Sequence, residues 1–482
     1  MGGSNIKAVL INPFPSGKHP DEYIEVPLNL LYVGTKLRKK GHTVRILDYQ
    51  ICSIEQEIKN HVQNADLVGI GAMTPQVGHS VEISKIIREI SDVPIVWGGQ
   101  HPTIYPEQTV ESKVVDYVIR GDGEEPIAKL IDFISGKCDI KKVPSLFWME
   151  KEKHKSNPQA QFTDINKISP PDWSLIDMQV YTGNQIVNGE KVKTFTINSG
   201  RGCIHRCAFC INTFQGRVWR KMEAINITNE MNILYNKYNV KYIFFRDDNL
   251  FIDKKRILSV ARYVRDNKMD MKWSGSCRAD YFKESHLNDE TVKVLSQCGL
   301  CNFAMGIESG SQRMLNLMKK DITLQDSINA VRTASKYGVE CSCSFVVGAP
   351  TETEKELEET LKFILLLDKE AKPKGLGFAG INIYTPYPGS ELFDMAVESG
   401  LKIPDNLEGW KDIGIDTPLP WISKAKRKKL KLLDYYCNLA ISNPKNFVYR
   451  YLNKAARFRV TKNFFMIPIE KKIVDFIKKR RG

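Results

Sequence analysis

Long apolar runs are missing from this chain. None approaches the roughly 20 residues that a membrane-crossing helix needs, although 42% of the 482 residues are hydrophobic. That content suffices for a sizeable core, and the length points to two or three domains. An export signal is missing too: Met1-Gly2-Gly3-Ser4 leads straight into the first strand-like segment. Ile6 stands where myristoylation of Gly2 would need Ser or Thr. The 11 cysteines therefore read as ligands or small core residues of a reducing compartment, and a cytoplasmic protein is expected. Acid is scarce at one end only. From Trp421 to Gly482 there are 18 lysines and arginines against 3 acids, while the rest of the chain carries 52 against 53. The body is neutral and the basicity belongs to the C-terminal segment.

One dense stretch stands out, Gly202-Cys203-Ile204-His205-Arg206-Cys207-Ala208-Phe209-Cys210. It follows the β-rich run 194–199. Three thiolates on one short loop suit an iron–sulfur cluster. Full ligation of a four-iron cluster takes four thiolates, so one iron stays open to a substrate or cosubstrate. Zinc is the competing reading, but zinc loops come as two C-x₂-C pairs or with paired histidines, and no second half follows at that spacing. The C-x₃-C-x₂-C spacing resembles the signature of the radical S-adenosylmethionine (SAM) superfamily. The resemblance implies a [4Fe–4S] cluster on Cys203, Cys207 and Cys210, with SAM on the open iron as the source of a 5′-deoxyadenosyl radical. It also implies that Phe209 lies near the adenine.

Before this loop, residues 4–135 alternate strand and helix. Strands are expected at Lys7–Pro13, Thr43–Asp48, Asp66–Gly71, Pro94–Gly99 and Tyr117–Gly121, with helices between. That alternation predicts an α/β, doubly wound parallel sheet with its ligand at the carboxyl ends of the strands. No G-x-G-x-x-G follows the first strand, which disfavours a dinucleotide. The loops at those ends hold Met73-Thr74-Pro75-Gln76, Gly98-Gly99-Gln100-His101 and Gly121-Asp122-Gly123-Glu124. Their glycines let backbone approach a large planar ligand. In strand order and loops this half resembles the cobalamin-binding domain that precedes many radical SAM domains. The D-x-H-x-x-G motif that gives cobalt a histidine in other cobalamin domains is absent. His101 reads as a local hydrogen-bonding residue, and the corrin is expected base-off, with Met73, Thr74 or Gln76 able to face its lower side.

Residues 136–192 are polar and contain Ser169-Pro170-Pro171-Asp172-Trp173, where consecutive prolines exclude an inner helix or strand. They read as a linker in which Trp173 packs. Residues 193–400 alternate again, with strands expected at Lys241–Arg246, Lys272–Ser276, Asn302–Ile307, Glu340–Val347 and Gly377–Tyr384. Six strand–helix units predict a partial (β/α)₆ barrel with its site at the C-terminal strand ends. By resemblance, Asp247 or Asp248 would pair with the SAM ammonium and Arg278 with its carboxylate. Glu308, with Ser309 beside it, would hold the ribose, and Tyr384 lies near the adenine. Cys298, Cys301, Cys341 and Cys343 read as buried free thiols rather than as an auxiliary cluster.

Residues 401–482 predict a mainly helical segment, with a helix over Ser423–Ala440. Its basic and aromatic residues suit a helical cap with a solvated face. Peripheral contact with an anionic membrane is the alternative; nucleic acid is disfavoured because no reader motif is present. The resemblance to cobalamin-dependent radical SAM enzymes spans about residues 5–400. It implies a methyltransferase acting on an unactivated carbon through methylcobalamin and the deoxyadenosyl radical, on a small-molecule or lipid substrate. A flavodoxin or ferredoxin would supply the electron. A non-methylating outcome on the same architecture, such as ring formation, oxidation or rearrangement, is the alternative.

Overall fold

The computed structural model describes residues 5–15, 24–52, 54–187, 190–373, 375–414, 416–444, 446–465 and 468–479. Its strands are β1 (Lys7–Asn12), β2 (Thr43–Asp48), β3 (Leu67–Gly71), β4 (Ile95–Gly98), β5 (Tyr117–Ile119), β6 (Leu146–Glu150), β7 (Lys153–Ser156), β8 (Gly183–Val187) and β9 (Glu190–Ile197). They continue with β10 (Gly200–Arg201), β11 (Arg220–Lys221), β12 (Tyr242–Phe245), β13 (Lys272–Cys277), β14 (Leu300–Glu308), β15 (Glu340–Val347) and β16 (Phe378–Ile383).

The first sheet has the order β2-β1-β3-β4-β5-β6-β7, with β1 to β5 parallel. Alternate residues of its strands feed two cores. Val9, Ile11, Val68 and Ile70 face one, and Ala8, Leu10, Leu67 and Val96 the other. Burial on both faces is why these strands read as continuous apolar runs. The second sheet has the order β16-β15-β14-β13-β12-β9-β8, parallel from β16 to β9. It forms the partial barrel, and its strands end on the same side as the cysteine loop.

The stretch 136–192 crosses between the sheets and also extends both. The β6–β7 hairpin adds two antiparallel strands to the first sheet, and β8 adds one to the second. β7 is exposed at all four positions, so no apolar alternation announces it. Trp173 is buried and meets Phe195 edge-on at 5.1 Å, which is the packing role expected.

Beyond the barrel, the short turn Leu407–Asp412 returns to the first sheet. Trp410 is fully buried there and donates to Gln108 Oε1 at 2.6 Å. The helix Lys424–Ile441 lies along the outer edge of β16. Asn438 pairs with both the N–H and the carbonyl of Ala379, at 3.0 and 2.9 Å, and Asp434 accepts from the Ile381 N–H at 3.0 Å. Side chains thus satisfy an edge that would otherwise be open to pairing. Among the described residues no helix is long and apolar enough to cross a membrane.

Candidate active site between the two sheets

The cysteine loop is fastened before any ligand is considered. Ser199, just past β9, donates its N–H and hydroxyl to Asp247 at 2.6 and 2.7 Å. Gly202 has φ +80°, and a Cβ there would lie 2.1 Å from the Val218 carbonyl oxygen, so only glycine can open the loop. Ala208 donates to Met318 and accepts from Leu392, each at 2.8 Å. Arg206 grips Asp321 through two bonds at 2.8 and 2.9 Å.

Cys203, Cys207 and Cys210 line one cavity of about 410 Å³. Arg278 and Asn212 point N–H groups at the sulfurs of Cys207 and Cys210, each at 3.6 Å. Burial pushes the Cys203 thiol up and the Cys210 thiol up to about 11, and Cys207 adds to both shifts. Among the described residues no three ligating side chains close on a single metal ion. Three thiols spread along one cavity wall fit a polynuclear cluster instead.

Asp248, Asn249, Arg278, Glu308 and Lys320 line the same cavity. Glu308 ends β14 at a register shift and has φ +68°. A bulge and a left-handed backbone at a non-glycine residue mark a site that over-determines its side chain. Glu308 accepts from Lys320 at 2.8 Å, with both side chains 8% exposed. Burial works against the Lys320 charge, but Glu308 and Cys207 together outweigh it and the pKa lies above the ordinary lysine value. Arg278 is braced by Asp280 at 2.8 Å and by the Lys320 carbonyl at 2.5 Å. A carboxylate and two cations thus border one side of the thiol pocket.

A second cavity, of about 370 Å³, opens at the carboxyl ends of the first sheet. Gly69, Gly71, Gly98, Gly99, Gly121 and Glu124 line it on one side, and Arg201, Asn212, Arg220 and Asp248 on the other. It continues into a space of about 560 Å³ bordered by Gly99, Gln100, Gly121 and Phe214. Gly99 has φ +101°, and a Cβ would lie 2.8 Å from the Ala72 carbonyl oxygen. Asp122 accepts from Arg220 and Arg201, and Arg201 reaches Glu124 at 2.5 Å. Among the described residues, three buried atoms of residues lining this cavity have no partner: Glu124 Oε2, Asn198 Oδ1 and Arg220 Nε. Unpartnered polar atoms beside glycine-lined backbone fit a large planar ligand with polar substituents. Asn212 and Asp248 border both cavities, so the two sites are neighbours that share a wall.

Residues 197–364 match the model of the Radical SAM superfamily, and residues 21–131 match the B12 binding domain. A Pyrococcus horikoshii protein described as an uncharacterized methyltransferase is 32% identical over 389 residues, 79% of this chain and 80% of that one. This chain belongs to the cobalamin-dependent radical SAM enzymes. The anaerobic magnesium-protoporphyrin IX monomethyl ester cyclase of Rubrivivax gelatinosus is 24% identical over 379 residues, 76% of this chain and 65% of that one. The fold is similar to that of the cobalamin-dependent SAM radical enzyme OxsB, solved with aqua-cobalamin and SAM bound. The TM-score is 0.73 at 17% identity, over 99% of this chain and 75% of that one. Membership brings a [4Fe–4S] cluster, SAM and cobalamin as the cofactors.

Within this radical SAM enzyme the residues singled out from sequence divide into two groups. Cys203, Cys207, Cys210, Phe209, Asp248, Arg278 and Glu308 line the thiol cavity. Asp247 does not; it is buried beneath, held by Ser199 and 3.7 Å from Arg256. Ser309 points away to Thr360 at 3.1 Å. Tyr384 is buried against Trp421, with ring centroids 6.3 Å apart, and its hydroxyl has no partner. Of the cobalamin candidates, Gly98, Gly99, Gln100, Gly121 and Glu124 line the second cavity. Met73, Thr74, Pro75, Gln76 and His101 are not among its lining residues. His101 is sealed between Tyr105 and Trp410, with Nδ1 3.2 Å from the Thr74 hydroxyl. Burial pushes its pKa down to about 3, so it is neutral. Gln76 turns inward to the Pro13 carbonyl at 2.6 Å, while Met73 is 43% exposed.

Sequence reasoning missed Lys320, Asn212, Asn249, Arg201 and Arg220. Lys320 sits in Met318-Lys319-Lys320-Asp321, which reads as a solvated turn. Nothing local tells which of its two lysines turns inward. Cys298, Cys301, Cys341 and Cys343 gather no metal-binding group among the described residues.

Proposed function

We propose that this enzyme methylates an unactivated carbon of a small organic substrate held where the two cavities meet. Bound there, the three cofactors supply a carbon-centred radical from reductive cleavage of SAM and a methyl donor at cobalt. Cys203, Cys207 and Cys210 hold three irons and leave the fourth for SAM. Asp248, rather than the buried Asp247, takes the SAM ammonium, and Arg278 takes the carboxylate. Glu308, held in place by Lys320, would accept from the ribose hydroxyls. The glycines of the second cavity would admit the corrin, and Glu124, Asn198 and Arg220, which line it, would meet its polar edge. His101, sealed between Tyr105 and Trp410 and not among the residues lining this cavity, would not be one of the residues that hold the group.

The observation that carries this reading is the shared border at Asn212 and Asp248, which would set a SAM-derived radical in one cavity beside a methyl donor in the other. Proximity of that kind replaces diffusion with a bound geometry. In this reading the enzyme works in the cytoplasm, where a flavodoxin or ferredoxin delivers the electron.

The test is anaerobic reconstitution with cobalamin and methyl-labelled SAM in the presence of extracts of the source cells. Methyl transfer yields S-adenosylhomocysteine beside 5′-deoxyadenosine and a labelled product. Deoxyadenosine without S-adenosylhomocysteine selects the non-methylating alternative, which the similarity to the cyclase favours. Replacing any of Cys203, Cys207 or Cys210 by Ala abolishes deoxyadenosine formation; continued cleavage would remove that cysteine from the cluster.

A further inference from the structure

The helix Phe447–Lys462 has two apolar faces, and the fold uses only one. Leu452, Ala456 and Val460 are buried where the helix packs on the helices Lys424–Ile441 and Glu354–Glu370. On the opposite side Phe447, Tyr451 and Phe458 are 70, 67 and 62% exposed. With Lys454 they recur at intervals of four, three and four residues, the spacing of a single helical face. Phe447 and Tyr451 touch, with ring centroids 5.7 Å apart. A solvated helix has no use for three aligned aromatics, and such a face marks an interaction surface.

Charge identifies the kind of partner. The helix contains no Asp or Glu. Arg457 and Arg459 are spent on Asp368 and Glu470, at 2.5 and 2.8 Å. Arg450, Lys454 and Lys462 are exposed and make no ion pair among the described residues. They flank the aromatic line with positive charge that no acid among the described residues pairs with. A second copy of the chain, meeting this face symmetrically, would set these cations against their own copies.

We propose that this face docks the enzyme on an anionic lipid surface. The aromatic rings enter the boundary between headgroups and acyl chains, and the long cationic side chains reach back to the phosphates. Because the rest of the chain is neutral, its field turns this end of the molecule toward the surface. The proposal stands independently of the reaction catalysed.

The experiment is flotation of the full reconstituted chain with vesicles of equal phosphatidylcholine and phosphatidylglycerol, against vesicles of phosphatidylcholine alone. Binding is expected to the mixed vesicles only. It falls about fivefold for each of Arg450, Lys454 and Lys462 replaced by Gln. It disappears in the triple variant Phe447→Ser, Tyr451→Ser, Phe458→Ser, whose unfolding temperature stays that of the parent because all three side chains lie in water. Should the triple variant fail to fold, the three Gln variants still decide. Equal binding to both vesicle types, no binding to either, or undiminished binding by the variants overturns the proposal. So does self-association of the parent that the triple variant lacks, which would give the face to a second copy. Retention on DNA in place of vesicles would give it to nucleic acid.

Discussion

Glu230 is 2% exposed, and one oxygen of its carboxyl has no partner. Burial, with Asp247 adding to it, pushes its pKa up to about 8 from the ordinary 4.5. The folded chain therefore holds this proton where the unfolded chain releases it. The contribution to stability is whole below about pH 4.5 and is lost as pH rises towards about 8. Glu230→Gln removes the titration while keeping the shape. Its melting temperature should exceed the parent's at about pH 8 and match it near pH 5; parallel pH profiles would refute the assignment. Lys320 makes a second case. Lys320→Met strands a buried carboxylate and should cost about 3–5 kcal/mol in urea unfolding. The double variant Lys320→Met, Glu308→Gln should recover much of that stability while SAM binding stays weak. A double variant no more stable than the single would break the argument.

The elements of the sheets follow from runs of residues that either bury or do not. Leu67–Gly71 is buried at every position, and its apolar run was enough to place a central strand. The helices Leu324–Lys336 and Glu354–Glu370 each start with a threonine capping box, Thr323 with Asp326 and Thr353 with Glu356. The edge strand β7 escaped because it is exposed throughout, and β6 and β8 because they are held by antiparallel backbone pairing to a neighbour that local sequence does not name. The other edge is closed by a helix. Asn438→Ala leaves the Ala379 N–H and carbonyl unpaired and should cost about 1–3 kcal/mol, read from the urea midpoint at constant slope. A variant as stable as the parent would show that water replaces Asn438 without loss.

At the scale of the molecule, the two sheets are tied beside the second cavity, by Asp122 past β5 bonding Arg220 and Arg201 next to the cysteine loop. Asp122→Ala should lower corrinoid retention while the iron–sulfide absorbance of the cluster persists. Joint loss of both would mean that Asp122 supports the whole fold instead of the second cavity. The sequence by itself determined the order of parallel strands, the three thiols and the acids and arginine at the strand ends. Each is written in a local pattern of spacing, periodicity or glycine. Only the tertiary structure decided that Asp248 and not Asp247 reaches the cavity, that Trp410 seals His101 and that Lys320 turns in to Glu308. It alone gave the helix Phe447–Lys462 an aromatic face left in water. Those outcomes depend on which distant segments pack together, and burial between segments far apart in the chain leaves no local periodicity to read.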